Sequence, residues 1–443
     1  MTPFRRQWLS GSLAVALALT AVGVRTPAAG HASRFAAQSH KPSAPSHCPA
    51  LPAPTGPVVN VDTVPELQDA VNNLTSGTTI LIADGVYTLT NTLNIAGVDD
   101  VALRSASGDR EAVVLRGKGM SNSSYGNVPH VIAIYDADDM LIADLTLRDA
   151  YFHLVQVHGE DGPLRPRFYN LHLIDSGEQF IKGSTDGQAY ADEGEVACST
   201  LEYTDEARSD YTNGVDVLGG ADWVIRDNVF RNIRAPAGLA GPAVLMWRNS
   251  LDTVVERNLF IECDRAIALG LSPPDGNSRD DEDTYDHQGG IVRNNFIYRA
   301  GAGDVGITVN YARDVRVYHN TVILNGTFLW GAIEYRFSAT SADIRYNLTD
   351  APIWQRNGAA GTVVGNVTNA QPGWFVNAAL GNLHLSAGVT AAIDQALPLG
   401  GVTDDYDGDL RPGGDAPDIG ADEYGELVLP GPYRLYLPTL RRP

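Results

Sequence analysis

Lys182, Asp216 and Arg248 have the side-chain types and the spacing that could do chemistry in this chain. Lys182 lies in DSGEQFIKGSTDG, directly after the apolar pair Phe180 and Ile181 that fixes its strand. A lysine beside an arginine gives up its proton more readily and serves as a base near neutral pH. Such a base removes the proton α to a carboxylate, and a second cation stabilises the enediolate that results. Lys182 as base and Arg248 as charge stabiliser is one reading. The other is a plain ion pair between Lys182 and Asp216. Gln156, His158, Asn310, Glu334 and Arg336 are expected on the same face as substrate-binding groups, with His287 reaching it from a loop.

A repeat must bring these residues together. WVIRDNVF, TVVERNLF, GIVRNNFI, VRVYHNTV and DIRYNLT each carry an asparagine after a short apolar strand: Asn228, Asn258, Asn295, Asn320 and Asn347. Weaker copies place Asp144, Asn170 and Thr200 earlier and Asn366 later, with steps of 26, 30, 28, 30, 37, 25, 27 and 19 residues. Recurrence on this scale means a solenoid or a propeller. Three short strands per repeat and no helical run choose an all-β, right-handed parallel β-helix of about ten or more coils. Asparagine tolerates the left-handed conformation of a sharp turn, and stacked amides satisfy one another inside it. Asn170, Asn228, Asn258, Asn295, Asn320 and Asn347 are therefore read as a structural ladder. The sequons at Asn347 and Asn366 are ladder positions on this reading.

The ladder is also a ruler. Twelve residues before Asn228, Asn258 and Asn320 stand Asp216, Met246 and Thr308, and ten before stand Leu218, Arg248 and Asn310. The coil ending at Asn347 reads one residue longer, which gives Glu334 and Arg336. LVQVH and FIKGS align by pattern, pointing Gln156, His158, Lys182 and Ser184 outward. Residues 183–197 and 271–288 are insertions expected to wall this face.

Composition sets the setting. The chain has 443 residues and a net charge of −21. That balance disfavours nucleic acid as a partner. Arg5, Arg6 and the apolar run Leu13–Val24 read as a signal peptide over 1–32, too short for a membrane span after cleavage. Residues 33–57 read as a flexible linker, 58–424 as the β-helix and 425–443 as a tail. VPELQDAVNNL reads as a capping helix with Leu67, Val71 and Leu74 on one face. Export permits a Cys198–Cys263 disulfide; two buried thiols are the alternative, and Cys48 is left over.

The helix followed by GTTILIADGVYTLTNTLNI resembles the first coil of secreted β-helix polysaccharide lyases of the chondroitinase B and alginate lyase type. DDYDGDLRPGGDAPDIGADEY resembles the C-terminal cap of bacterial secreted β-helix proteins. The resemblance spans roughly 58–424. It implies a secreted, monomeric protein acting on an acidic polysaccharide, with a Lys/Arg/Ca²⁺ arrangement that Lys182 and Arg248 resemble in residue type and strand placement. The lyases' calcium-binding Asn/Glu motif has no match. Asp280, Asp281 and Asp283 are the candidate Ca²⁺ ligands, as hard oxygen donors in a loop, and a solvated acidic loop is the alternative. DDYDGD is read either as a calcium loop or as Asx-turn chemistry. The polygalacturonase GHG and RIK signatures, the DPHE of mannuronan epimerases, Gly-x-Ser-x-Gly, His-Glu-x-x-His and a P-loop are missing. A glycan-binding surface protein without catalysis and a glycoside hydrolase using Asp216 and Glu334 are the rival readings.

Overall fold

The computed structural model describes residues 48–274, 279 and 284–425. Three parallel sheets run its length. The first has 12 strands, from Val58–Val61 to Ala360–Val364. The second has 10, from Gly85–Thr88 to Leu348–Thr349, and the third has 10, from Leu93–Ala96 to Ile353–Arg356. Each coil visits the three in turn, and each strand pairs with its counterparts in the coils before and after. This is a right-handed parallel β-helix. Inward residues alternate with outward ones, and the inward set forms a continuous apolar core from Val61 to Ala359.

The start of the stack is covered as expected. The helix Val64–Asn72 begins at Thr63, whose hydroxyl accepts the Glu66 N–H, while the Glu66 carboxylate accepts the Asp62 N–H. That reciprocal cap fixes where the helix starts. Leu67 and Val71 are buried and Leu74 packs at their edge.

The ladder is real but shorter and differently placed than the repeats suggest. Asn228, Asn258, Asn295, Asn320 and Asn347 each donate amide to the next amide, ending at Asn366, at 2.9–3.0 Å. Asn170 is not a rung. Its coil puts Leu171 at the ladder position, where the Leu171 N–H meets the Ser199 hydroxyl, and Ser199 stands in for asparagine in the next coil. Asp144 and Thr200 are likewise one residue off. The left-handed conformation also belongs to the residue before each rung: Asp144, Asn170, Cys198, Asp227, Arg257, Asn294, His319 and Tyr346. The rung asparagines satisfy the turn from inside while their predecessors make the bend.

Those corner residues project outward and anchor both ends of the described chain. Cys198 forms a disulfide with Cys48. Cys198 is thus neither paired with Cys263 nor a thiol, and Cys48 is not left over; Cys263 alone is the buried thiol, facing the core at a different corner. Residues 48–57 are held rather than loose: Tyr169 donates to Pro49 O and Arg104 to Pro52 O. In later coils Arg257 and Asn294 hold Asp404, and His319 contacts the Asp418 carbonyl. The C-terminal segment is thus a strap along the outer faces of the first and second sheets, packed on Phe296, Ile323 and Leu348. It does not close the end of the stack, where Ala360–Val364 is exposed.

Candidate functional site

The third sheet carries the candidate site. Strand register sets Asn94, Ala133, Gln156, Lys182, Asp216, Leu245, Ala268, Thr308, Glu334 and Trp354 in one outward column. A second column holds Tyr135, His158, Leu218, Trp247, Asn310, Arg336 and Arg356. Gln156, His158, Lys182, Asp216, Asn310, Glu334 and Arg336 thus share the face that the sequence places them on. The ruler slips in one coil. Leu245 occupies the column and Met246 points inward, because Arg248 and Asn249 both take the left-handed conformation and lengthen that turn.

Arg248 is displaced by that slip. It follows the strand Val244–Trp247, three residues past Leu245, so about 10 Å along the strand from the column of Lys182. Lys182 Nζ instead lies 2.9 Å from Asp216 Oδ2. Among the described residues this is its hydrogen-bond partner. Asp216 has two further donors: Asn213 Nδ2 donates to Oδ2 at 3.2 Å and Trp247 Nε1 to Oδ1 at 2.9 Å. Arg248 lies beside the Trp247 ring and lines a cavity of about 90 Å³ with Thr185, Asp186, Gly187, Tyr190 and Leu218. The 183–197 insertion supplies that wall. Trp223, fully buried, ties it down by donating to Ala191 O. Arg279 of the second insertion pairs with Asp192 and stacks over Tyr190.

One expected participant lies elsewhere. His287 is fully buried off this face, between Ser250–Leu251 and Ala312–Arg313, with Nε2 3.0 Å from Thr253 Oγ1. Burial pushes its pKa down to about 3. Asp280, Asp281 and Asp283 lie outside the described residues. Their neighbour Asp286 is described, and its carboxylate accepts the N–H groups of Arg248, Leu271 and Ser272. It anchors the base of the loop.

Turns between the second and third sheets add residues that the column count misses. His153 stacks on His130 at 5.1 Å, with Nε2 3.9 Å from Glu178 Oε2. Glu178 pairs with Arg208 at 3.0 Å, and Arg208 lies over the Tyr151 ring at 3.9 Å. Burial first, then the charges of His130 and Lys182, hold the His153 imidazole well below the usual range, so it is neutral. Burial raises the Glu178 carboxyl against the pull of Arg208 and Lys182. Tyr125, Tyr151 and Phe152 form an aromatic wall here. These groups come from turns of unequal length in different coils, so no fixed spacing marks them. The clue available was the run YFH at 151–153 before LVQVH.

The far end of the face is aromatic. Glu334 pairs with Arg356 and lies 3.6 Å from Arg336. Trp330 and Trp354 are partly exposed and pack edge to face at 5.7 Å, with Arg356 over Trp330 at 3.7 Å.

The face can therefore present cations to an acidic ligand, a neutral imidazole to a proton and tryptophans to apolar ring faces. No helix among the described residues is long and apolar enough to cross a membrane. No protein-family model matches the sequence, and no curated protein does. Solved structures with a similar chain path include pectate lyase Pel9A, at 15% identity and a TM-score of 0.49, covering 80% of this chain and 90% of that one. A polygalacturonase from Erwinia carotovora ssp. carotovora matches at 14% and 0.40, covering 74% and 99%. An alginate lyase from Paenibacillus sp. str. FPU-7 matches at 13% and 0.39, covering 70% and 99%. Likeness at this level concerns chain path and assigns no reaction. By its sheets and its ladder, this chain is a right-handed parallel β-helix protein.

Proposed function

We propose that this is an extracellular protein that cleaves a uronate-containing polysaccharide by β-elimination on the third sheet. The observation that carries the reading is the cluster of His153, 3.9 Å from Glu178, and Arg208, 3.0 Å from the same carboxylate, next to the strand Ile181–Gly183 that carries Lys182. Lys182 keeps its central place but changes role. Its ammonium, ion-paired with Asp216, binds the uronate carboxylate. His153 takes the proton α to that carboxylate. The electron pair forms the C4–C5 double bond as the C4–O bond breaks, and the leaving oxygen takes a proton from water. Arg248, on the cavity side, meets a neighbouring sugar. Calcium is not required by these steps; Asp280, Asp281 and Asp283 stay in the proposal as its candidate ligands.

The test is incubation with a panel of uronate polymers, with and without calcium, following the ultraviolet absorbance of the unsaturated product. Lys182→Ala and His153→Gln should each lower kcat/KM by roughly 10²-fold or more. Absence of unsaturated product on every polymer rejects elimination; saturated reducing ends would mark hydrolysis instead.

A second reading, glycan binding without cleavage, is favoured by Trp330 and Trp354. Trp354 shares the column of Lys182 six coils away, about 29 Å at the usual strand spacing. Binding on a glycan array with no product would select it.

A further inference from the structure

The C-terminal strap holds a polar cluster on the outer face of the second sheet, far from the columns of the third. Most of its carboxylates serve the chain itself. Asp405 Oδ1 accepts the N–H groups of Asp407 and Asp409, and Oδ2 accepts that of Glu423. Asp404 pairs with Arg257 at 2.8 Å. Asp418 accepts the N–H groups of Asp394 and Tyr424. In these three residues DDYDGD and its neighbours do the work of Asx turns and ion pairs.

Three other residues converge from separate segments. His384 comes from the strand Asn382–Leu385, Asp407 from the acidic turn and Asp422 from the end of the strap. His384 Nε2 lies 2.6 Å from Asp407 Oδ2 and 4.0 Å from Asp422 Oδ1, and the three atoms lie within 4.8 Å of one another. His384 Nδ1 is 2.7 Å from the side-chain oxygen of Asn382. That oxygen can only accept, so Nδ1 carries a proton, and Nε2 is the ring nitrogen that faces the two carboxylates. Phe296 and Tyr406 meet the His384 ring edge to face and fix its plane. Asp422 is 5% exposed. Its Oδ2 accepts the Leu385 N–H, but among the described residues nothing donates a hydrogen bond to Oδ1, which points into the cluster. A proton on Nε2 would serve Asp407 and still leave Asp422 Oδ1 without a donor.

We propose that His384, Asp407 and Asp422 bind a divalent transition-metal ion of the zinc type, which ties three segments of the C-terminal strap together over the second sheet. Bonds of about 2.0–2.1 Å in tetrahedral geometry put ligand atoms about 3.3 Å apart, between the two separations found here. One imidazole nitrogen with two carboxylate oxygens, leaving a fourth position for water, suits zinc; calcium takes six to eight oxygens. The clamp joins the strand at 382–385, the acidic turn and the segment in which the Ala421 N–H donates to Thr321 Oγ1.

The full chain, stripped with a chelator and dialysed, is titrated with Co²⁺ as a visible probe and then with Zn²⁺ in competition. One equivalent of Co²⁺ should produce visible d–d absorption, which Zn²⁺ abolishes while raising Tm. His384→Gln and Asp407→Asn should each weaken binding at least tenfold and remove the absorption, with the circular dichroism of the folded chain retained. Asp407 is partly exposed in a turn, so Asp407→Asn keeps the test open if His384→Gln fails to fold. Asp415→Asn, an exposed acid of the same strap, should change nothing. Binding that persists in both ligand variants overturns the site, as does equal loss in Asp415→Asn. Binding of Ca²⁺ that Zn²⁺ cannot displace overturns the metal class.

Discussion

Lys182 Nζ and Asp216 Oδ2 sit 2.9 Å apart on adjacent coils, at side-chain exposures of 11% and 3%. The pair is nearly buried, and Asp216 also accepts hydrogen bonds from Asn213 and Trp247. Removing one member of such a pair leaves the other charge poorly solvated, at a cost of about 3–5 kcal/mol. Asp216→Ala should therefore destabilise the fold by that order, and the double variant Lys182→Ala/Asp216→Ala by clearly less than the sum. Urea unfolding of the four proteins measures the coupling. Additive costs would mean that the pair does not act as a unit.

His153 predicts the shape of the pH–rate profile. An ordinary histidine base has lost half its activity by pH 6.5. Burial and the nearby cations hold His153 well below that value. The kcat/KM of elimination should stay flat as pH falls from about 8 to about 6. A half-maximal point near 6.5 would remove His153 from the role of base.

His287 and His130 predict acid sensitivity of the fold. Their pKa values are pushed down to about 3 and about 4, chiefly by burial. The unfolded chain, with histidine near 6.5, takes the proton first. Stability is therefore complete above about pH 6.5 and falls as pH drops toward 3, by up to about 1.4 kcal/mol per unit for each residue. His287→Gln should flatten the slope of stability against pH between 6 and 4, measured by chemical denaturation at each pH.

The ladder predicts a gradient of costs. Asn258 is fully buried, donates to Asn295 Oδ1 and Ile225 O, and accepts from the main-chain and side-chain nitrogens of Asn228. Asn258→Ala leaves several buried groups without partners and should cost about 3–5 kcal/mol. Asn366 ends the ladder half-buried, and Asn366→Ala should cost about 1–2 kcal/mol. Thermal unfolding ranks the two.

The Cys48–Cys198 bond closes a span of 150 residues. Cys48→Ser should lower stability by about 2–5 kcal/mol, and reductant should lower the wild type to the same level. Mass spectrometry of a non-reduced digest should return the Cys48–Cys198 peptide pair and an alkylatable Cys263.

Much of this protein was legible in its sequence because a β-helix is nearly one-dimensional. A strand alternates with period two and each coil stacks on the last, so an asparagine found every 25 to 37 residues marks the fold. The same alternation put Gln156, His158, Lys182, Asp216, Asn310, Glu334 and Arg336 on one face. What escaped depended on turn lengths. One extra residue in a turn carried Arg248 out of its column, and substitution of Ser199 and Leu171 for asparagine shifted the early rungs by one. Only the tertiary structure paired Cys48 with Cys198, buried His287, and gathered His153, Glu178 and Arg208 beside Lys182. Those contacts join segments whose separation along the chain follows no period, because turns and insertions take whatever length the corner allows, while the strands between them cannot.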